Sequence, residues 1–364
     1  MRNRKVGFLA MNEASEVTYH CVSRVVGREF LFGDKEKAVF VKMMRQLEGF
    51  CGVEVLSYCV MSNHFHVMVK VPQISEEEMT DAEFERRLRC IYKELEVKEV
   101  MVHLRKCRKN KAPKMARELK ERYTYRMGNV SEYMKALKQR FSRWYNKSNA
   151  RVGTLWEQRY GVTLVGPGWS TKVVAAYIDL NPLRAGIVDD PANYRFSSYG
   201  EAVAKGNSIA RERLFAVMNS TEPGASLGSG ARGRAVDEKD ALAKYRMLLA
   251  EEGEAQDQDA PMVLGQSKAA RTKKAKGFSK AEVKKVLEKN GELSLAQLLR
   301  CKARYFTSGF AIGSQLYVED MLETMKTKAG VFETRKSGAT RLKHAKELKL
   351  ATLRNLVRSP VNVG

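Results

Sequence analysis

Hydrophobic and polar residues alternate in short segments near the start of the chain. The segment 17–23 (Val-Thr-Tyr-His-Cys-Val-Ser) is rich in β-branched and aromatic residues and predicts a first strand. Segments 53–61 and 65–71 predict two more strands, and the three residues between them suit a hairpin. A fourth strand is predicted at 161–165, ahead of a Gly-Pro-Gly turn.

Apolar residues at helical spacing lie between and after these strands. One helix is predicted from Asp34 to the residue before Gly52, and a second is predicted over 130–145. A third begins at Ser170, a residue type suited to the N-cap, and is stopped by Pro182. The order strand, helix, strand, strand, helix, strand, helix predicts an α+β fold, with helices packed on a split βαβ sheet.

Composition divides the chain into three parts. The first, 1–205, is interrupted at about 75–128 by a charged helical insertion that is acidic at its start and strongly basic later. The second, 206–265, is predicted to be a linker with one short helix, because residues 220–233 are rich in Gly, Ser and Ala. The third, 266–358, is basic and predicts a small all-α region that resembles a helix-turn-helix DNA-binding unit.

The charge of the chain narrows the class of partner. Lys and Arg number 65 against 42 Asp and Glu, which gives a formal net charge of +23 and favours a polyanion. No segment approaches the ~20 apolar residues that a membrane-spanning helix needs. The six cysteines are scattered and form no Cys-x-x-Cys pair, so we expect a reduced, cytoplasmic protein.

Two histidines flank Phe65 at the start of the third predicted strand. Side chains at positions i and i+2 of a strand project to the same face, so His64 and His66 lie together. Two neutral imidazoles on one face can bind one divalent ion. A structural alternative stays open, in which both rings are half-buried and bonded to the backbone.

The third predicted helix carries a tyrosine on its apolar stripe. Tyr177 therefore faces the sheet, and a core tyrosine is the ordinary interpretation. Asn181 lies one turn further on the same face, which would place a tyrosine nucleophile and an amide oxygen beside a metal held by His64 and His66. Asn181 also precedes Pro182, a position that disfavours helical torsions and suits a cap residue.

These side chains together suit phosphoryl transfer. A divalent metal offsets the charge of a phosphodiester that otherwise repels nucleophiles. A tyrosine phenolate can then displace the 3′ oxygen and retain the phosphate as a phosphotyrosine, so that rejoining needs no ATP. The chain contains no Walker-type Gly-rich loop, which agrees with that chemistry.

Several separated motifs resemble one known family. Val-Met-Ser-Asn (60–63) precedes the His-Phe-His run, and Tyr-Ile-Asp-Leu-Asn-Pro-Leu-Arg-Ala-Gly occupies 177–186. Leu-Trp-Glu-Gln-Arg-Tyr (155–160) and Tyr-Arg-Phe-Ser-Ser-Tyr (194–199) complete the set. In this order they resemble the single-tyrosine HUH transposases, most closely the REP-associated tyrosine transposases, over roughly 16–200.

The resemblance implies a ferredoxin-like catalytic domain that nicks and rejoins single-stranded DNA at hairpin-associated sites through a 5′-phosphotyrosine. It implies that His64 and His66 are metal ligands, that Asn181 is a third polar ligand and that Tyr177 is the nucleophile. The implied cofactor is Mg²⁺ or Mn²⁺. The implied partner is single-stranded or hairpin DNA, bound by a monomer or homodimer in the bacterial cytoplasm, at the nucleoid. The insertion at 75–128 departs from compact members of the family.

Basic residues near these motifs are candidates for DNA contacts. Single-stranded DNA is typically held by a positive groove and by base stacking. The candidates are Lys138, Arg140, Arg143, Arg159 and Arg184. Arg184 could instead cap the preceding helix. Two other functions stay open at this point: a domesticated, non-catalytic regulator that binds hairpin DNA, and a metal-dependent nuclease in which the histidines activate water.

Overall fold

The structure is a computed structural model of the 364-residue chain. It describes residues 16–72, 79–204, 208–221, 238–253, 304–307, 309–329, 332–334, 340–341, 350–353 and 356–358. Within these residues, no helix is both long and apolar enough to cross a membrane.

Four antiparallel strands form the centre of the sheet. Strands β1 (Val17–Arg24), β2 (Glu54–Val60), β3 (His64–Val71) and β4 (Gly161–Val165) lie in the order β2-β3-β1-β4. β3 pairs with both β1 and β2, and β4 pairs with the other side of β1. This is the split βαβ order that the sequence predicted, so the α+β class is confirmed.

Two long helices cover one face of the sheet. Helix α1 (Asp34–Cys51) packs against helix α5 (Val130–Ser148), and an aromatic cluster fills the space between them and the strands. The ring centre of Phe65 lies 4.5 Å from that of Phe40, which is itself 5.1 Å from that of Phe141. Phe65 points into this layer, so the two histidines that flank it on β3 point to the opposite face.

The opposite face is covered by helix α6 (Trp169–Asp179), which begins one residue earlier than predicted. Gly168, with φ 70° and ψ −129°, is the N-cap, and Ser170 is buried inside the helix. The prediction that Ser170 caps the helix is therefore wrong. Gly168 takes the N-cap position instead, with a positive φ that favours glycine. Pro182 lies in the first turn of a new helix, α7 (Asn181–Arg184), where a proline is well tolerated.

The charged insertion folds as three helices, α2 (Asp81–Arg89), α3 (Glu94–Lys109) and α4 (Pro113–Thr124). The apolar stripes of α2 and α3 are buried, including Phe84, Leu88 and Leu104, and α4 buries Ala116. The basic residues at the tip of α3 and the start of α4 are exposed. Residues 75–78 of the predicted insertion lie outside the described residues.

The predicted linker contains more structure than one short helix. Helix α8 (Ser198–Val203) is followed by α9 (Ser208–Met218) and by α10 (Glu238–Gly253), and all three pack in succession. Helix α10 also contacts α6, because the Tyr245 hydroxyl donates to Asp179. The described helices within 206–265 are therefore packed on the N-terminal part of the chain.

The C-terminal part is also different from the all-α region that was predicted. Strand β5 (Ala311–Gly313) pairs in parallel with β4. Together with β8 (Ala351–Leu353) and β7 (Thr340–Arg341), it extends the sheet to the order β2-β3-β1-β4-β5-β8-β7. A three-residue strand has too short a pattern to be recognised in a sequence. The predicted helices at 279–289 and 294–300 lie outside the described residues. The remaining described elements are α11 (Arg304–Thr307), α12 (Gln315–Ala329), β6 (Phe332–Thr334) and β9 (Leu356–Arg358).

Candidate catalytic site

The two histidines of β3 lie side by side on the α6 face of the sheet. Their ring centres are 5.2 Å apart. His66 is 4% exposed, and His64 is only partly exposed. Opposite them on β1, Arg24 pairs with His64 and Val22 pairs with His66, so the same face of β1 also presents His20.

Two hydrogen bonds of Asn63 indicate which ring nitrogen of His64 carries the proton. The amide nitrogen of Asn63 donates to the main-chain oxygen of Arg28 at 3.0 Å, so the amide oxygen of Asn63 faces the imidazole. That oxygen lies 2.6 Å from Nδ1 of His64. Because an amide oxygen can only accept, Nδ1 carries the proton and Nε2 has the lone pair.

His66 is held by a third histidine that the sequence analysis did not single out. Nε2 of His20 lies 2.9 Å from Nδ1 of His66, and Nδ1 of His20 lies 2.7 Å from the main-chain oxygen of Phe306. Strand pairing could have identified His20, because Val22 pairs with His66 and His20 lies two residues before Val22 on the same face of β1. Phe306 is 286 residues further along the chain than His20, and no sequence pattern links them.

The three imidazoles are neutral at ordinary pH. Burial lowers the pKa of His20 to about 4 and, with help from the nearby Arg24 and Arg184, lowers that of His64 to about 4. Burial and the other two histidines lower the pKa of His66 well below its usual value. Neutral imidazoles are the form that binds metal ions.

Tyr177 lies where the helical spacing predicted, facing the histidines from α6. Its ring centre is 5.8 Å from that of His66 and 6.0 Å from that of His20. The residue is 3% exposed. Burial raises the pKa of its phenol, and the positive charges of Arg184 and Arg24 act in the opposite direction.

Arg184 contacts the tyrosine directly and caps the helix that carries it, which is one of the two roles that the sequence left open. Its guanidinium carbon lies 4.2 Å from the ring centre of Tyr177, and Nη2 donates to the main-chain oxygen of Tyr177 at 2.7 Å. Nη1 is buried and has no hydrogen-bond partner in the described part of the chain. A buried, unpartnered N–H of a cation is the kind of group that binds a phosphate oxygen.

Asn181 has the capping role that its place before a proline suggested. Its amide nitrogen donates to the main-chain oxygens of Tyr177 and Ile178, at 3.2 and 3.1 Å. The amide oxygen is the atom of this side chain that can act as a metal ligand. Asp179 lies on the other side of the helix, where it accepts from the Tyr245 hydroxyl and from the main-chain N–H of Tyr199.

Three of the remaining predicted DNA contacts, Lys138, Arg143 and Arg159, line a cleft beside α5. Arg143 and Arg159 are exposed there, whereas Lys138 is buried, donates to the main-chain oxygen of Gln158 at 2.8 Å and has a pKa that burial lowers to about 8. Arg140 is half-buried on the same helix. The cleft has a volume of about 960 Å³, and it is lined among others by Lys135, Lys138, Gln139, Arg143, Trp156, Arg159 and Tyr160.

The donor set at the histidines fits a divalent metal. Nε2 of His64 and Nε2 of His66 both have lone pairs, because each ring uses Nδ1 in a hydrogen bond. A separation of 5.2 Å between ring centres suits two imidazoles that share one ion through bonds of about 2.1 Å. Among the described residues, no group of three or more His, Cys, Asp or Glu side chains could hold a metal, so a third ligand would have to be of another type.

Comparisons with known proteins give similarities to a family model and to solved structures. No curated protein matches the chain in sequence. One solved structure, described as the REP-associated tyrosine transposase bound to a REP hairpin, is similar at a TM-score of 0.34 and 12% identity, over 54% of this chain and 86% of that chain. Residues 13–81 and 123–181 match the model of the family described as Transposase IS200 like. The match omits residues 82–122, which correspond to the helical insertion. The segments that carry His20, His64, His66 and Tyr177 are thus similar to the IS200-like transposases.

Proposed function

We propose that this protein is a transposase-like strand transferase that nicks and rejoins single-stranded DNA at hairpin-associated sites, through a 5′-phosphotyrosine and with a divalent metal such as Mg²⁺ or Mn²⁺. The observation that carries the proposal is the meeting of three side chains from two distant segments. The Tyr177 ring centre lies 5.8 Å from that of His66, and His66 lies beside His64. The similarity of both segments to the IS200-like transposases supports it.

His64 and His66 would hold the metal through their Nε2 atoms, and the amide oxygen of Asn181 is the proposed third protein ligand. When bound, the metal offsets the charge of the phosphodiester and orients it. The neutral state of both imidazoles, which burial secures, keeps their lone pairs available.

Tyr177 supplies the nucleophile. The phenol gives up its proton and its oxygen forms a bond to phosphorus, while the bond between phosphorus and the 3′ oxygen breaks. The leaving 3′ oxygen takes up one proton in turn, so the strand ends in a 3′ hydroxyl and the protons balance. The 5′ phosphate stays on the tyrosine. Attack by a 3′ hydroxyl reverses the sequence and rejoins DNA without a separate energy source.

Arg184 is placed to contact both the phosphate and the nucleophile. Its unpartnered, buried Nη1 is available for a phosphate oxygen, while the rest of the guanidinium lies against the Tyr177 ring. A fixed positive charge at this position favours the phenolate and the charge that builds up on the phosphate during attack.

A trapping assay tests the proposal. An oligonucleotide with a hairpin and a flanking cleavage site is incubated with the full chain and Mn²⁺, and covalent protein–DNA adducts are separated under denaturing conditions. We expect wild type to form the adduct and Tyr177→Phe to form none while it still binds DNA. Tyr199→Phe is the matched control, because Tyr199 is also 3% exposed but lies beside Asp179 and Tyr245.

Two outcomes would replace the proposal by another function. Cleavage by Tyr177→Phe at the wild-type rate, without an adduct, would identify a nuclease in which water attacks. DNA binding without cleavage by wild type would identify a non-catalytic regulator.

A further inference from the structure

Residues 304–307 and 309–313 reach the catalytic site from the far end of the chain. Phe306 is 0% exposed, and its ring lies nearly parallel to that of Tyr177, with ring centres 4.6 Å apart. The segment is fixed to β4, because Leu164 donates to the main-chain oxygen of Phe310 and Thr163 donates to that of Gly309, both at 2.9 Å. Phe306 is thus held in place by the sheet that carries the histidines.

The main chain of this segment determines which nitrogen of His66 is free. The main-chain oxygen of Phe306 can only accept, so Nδ1 of His20 carries the proton of the neutral ring. Nε2 of His20 then accepts from Nδ1 of His66, and the lone pair of His66 lies on Nε2. A metal-binding histidine is ordinarily held in this way, by a partner on its second nitrogen.

The side chain of Phe306 determines where the tyrosine ring lies. Arg184 approaches the Tyr177 ring centre to 4.2 Å and Phe306 approaches it to 4.6 Å. Two groups this close to one ring centre cannot share a face. The phenol ring is therefore clamped between a cation and an aromatic ring, with its edge toward His66, at an interplanar angle of 78°.

We propose that His20 and Phe306 are positioning residues of the catalytic site: the Phe306 carbonyl and His20 orient His66 for the metal, and the Phe306 ring holds Tyr177 in line. This inference rests on the proposed function. It makes the C-terminal segment a part of the site, although the family match ends at residue 181.

Manganese binding tests the first half without any turnover. Dissociation constants for Mn²⁺ are measured by electron paramagnetic resonance on the full chain, with folding checked by thermal unfolding. We expect His66→Ala to abolish specific binding and His20→Ala to weaken it by about tenfold or more. His20→Gln should recover most of the affinity, because its amide can still bond to Nδ1 of His66. His103→Ala, at an exposed position on α3, is the control.

The adduct assay tests the second half. Phe306→Leu keeps an apolar side chain and the main-chain carbonyl, so Mn²⁺ affinity should stay at the wild-type value. The rate of adduct formation at saturating DNA should fall about three- to tenfold, since the aromatic contact is lost. Phe306→Tyr should restore the rate, and the DNA concentration at half-maximal rate should not change in either variant.

Three results would overturn the inference. One is wild-type Mn²⁺ affinity in His20→Ala while His66→Ala loses the ion. The second is a faster adduct in Phe306→Leu, which would make Phe306 an obstructing cover. The third is failure of Phe306→Tyr to restore the rate. These three results overturn the inference alone. If His64→Ala and His66→Ala both bind Mn²⁺ normally, the proposed function fails as well, so failure of the inference and failure of the proposed function can be distinguished.

Discussion

The guanidinium group of Arg184 lies over the ring of Tyr177, with its carbon 4.2 Å from the ring centre, and also donates to the main-chain oxygen of that residue. One side chain thereby contacts both the end of α6 and the proposed nucleophile on its last turn. Burial lowers the pKa of the guanidinium below its usual value, and the nearby tyrosine opposes that change. The charge is therefore retained in a site where burial alone disfavours it.

Replacement of Arg184 should shift the pH dependence of adduct formation. Arg184→Met removes the larger of the two charges that lower the phenol pKa, so that pKa should rise and the rate should increase only at higher pH. The rate at neutral pH should fall by about tenfold or more. The measurement is the rate from pH 6 to pH 10. Arg184→Lys keeps the charge, so its profile should stay close to that of wild type, and an unshifted profile in Arg184→Met would contradict the role.

The two exposed arginines of the α5 cleft should contribute to DNA binding through phosphate contacts. Arg143→Ala and Arg159→Ala should each weaken binding to all sequences alike and reduce the slope of log affinity against log salt by about 0.7 to 1. Fluorescence anisotropy between 50 and 300 mM salt measures this slope. Lys98→Ala, on α3 and ion-paired with Glu94, is the control and should leave the slope unchanged.

The buried carboxyl of Asp179 should make stability fall as pH rises. Burial raises its pKa to about 7, so the folded state binds a proton more tightly than the unfolded state does. The stability from this group is complete below the unfolded pKa of 3.8 and is lost as pH rises through 7. Between pH 5 and pH 8 wild type should lose on the order of 2 kcal/mol relative to Asp179→Asn. Urea unfolding at both pH values measures the difference, and parallel profiles would contradict it.

Gly52, at the end of α1, should be difficult to replace. Its φ of 66° suits glycine, and an added Cβ would collide with the guanidinium of Arg87. Gly52→Ala should therefore reduce the free energy of unfolding by more than about 1 kcal/mol. Gly186→Ala is the control, because Gly186 has a φ of 64° but open space around its Cβ position. Equal losses in the two variants would exclude a contribution from Arg87.

The sequence was sufficient where the determining pattern is local. Period-two alternation placed His64 and His66 on one face of β3, and helical spacing placed Tyr177 opposite them. It was insufficient where the determining contact joins distant segments. Nothing near Phe306 indicates that its carbonyl would meet His20. Ser170 was mistaken for a cap because the glycine two residues earlier can adopt a backbone conformation closed to serine.

The pairing of β5 with β4 has a practical consequence for dividing the chain. A fragment ended in the glycine-rich stretch at 220–233 would retain both histidines and the tyrosine, and would look complete by its motifs. Its β4 would nevertheless present the N–H groups of Leu164 and Gly166 without the carbonyls of Phe310 and Ile312 that now accept from them. Unpaired N–H groups on an exposed edge strand promote pairing with strands of other chains. A truncated protein would therefore tend to aggregate. A lack of activity in that fragment would not show that the full chain is inactive.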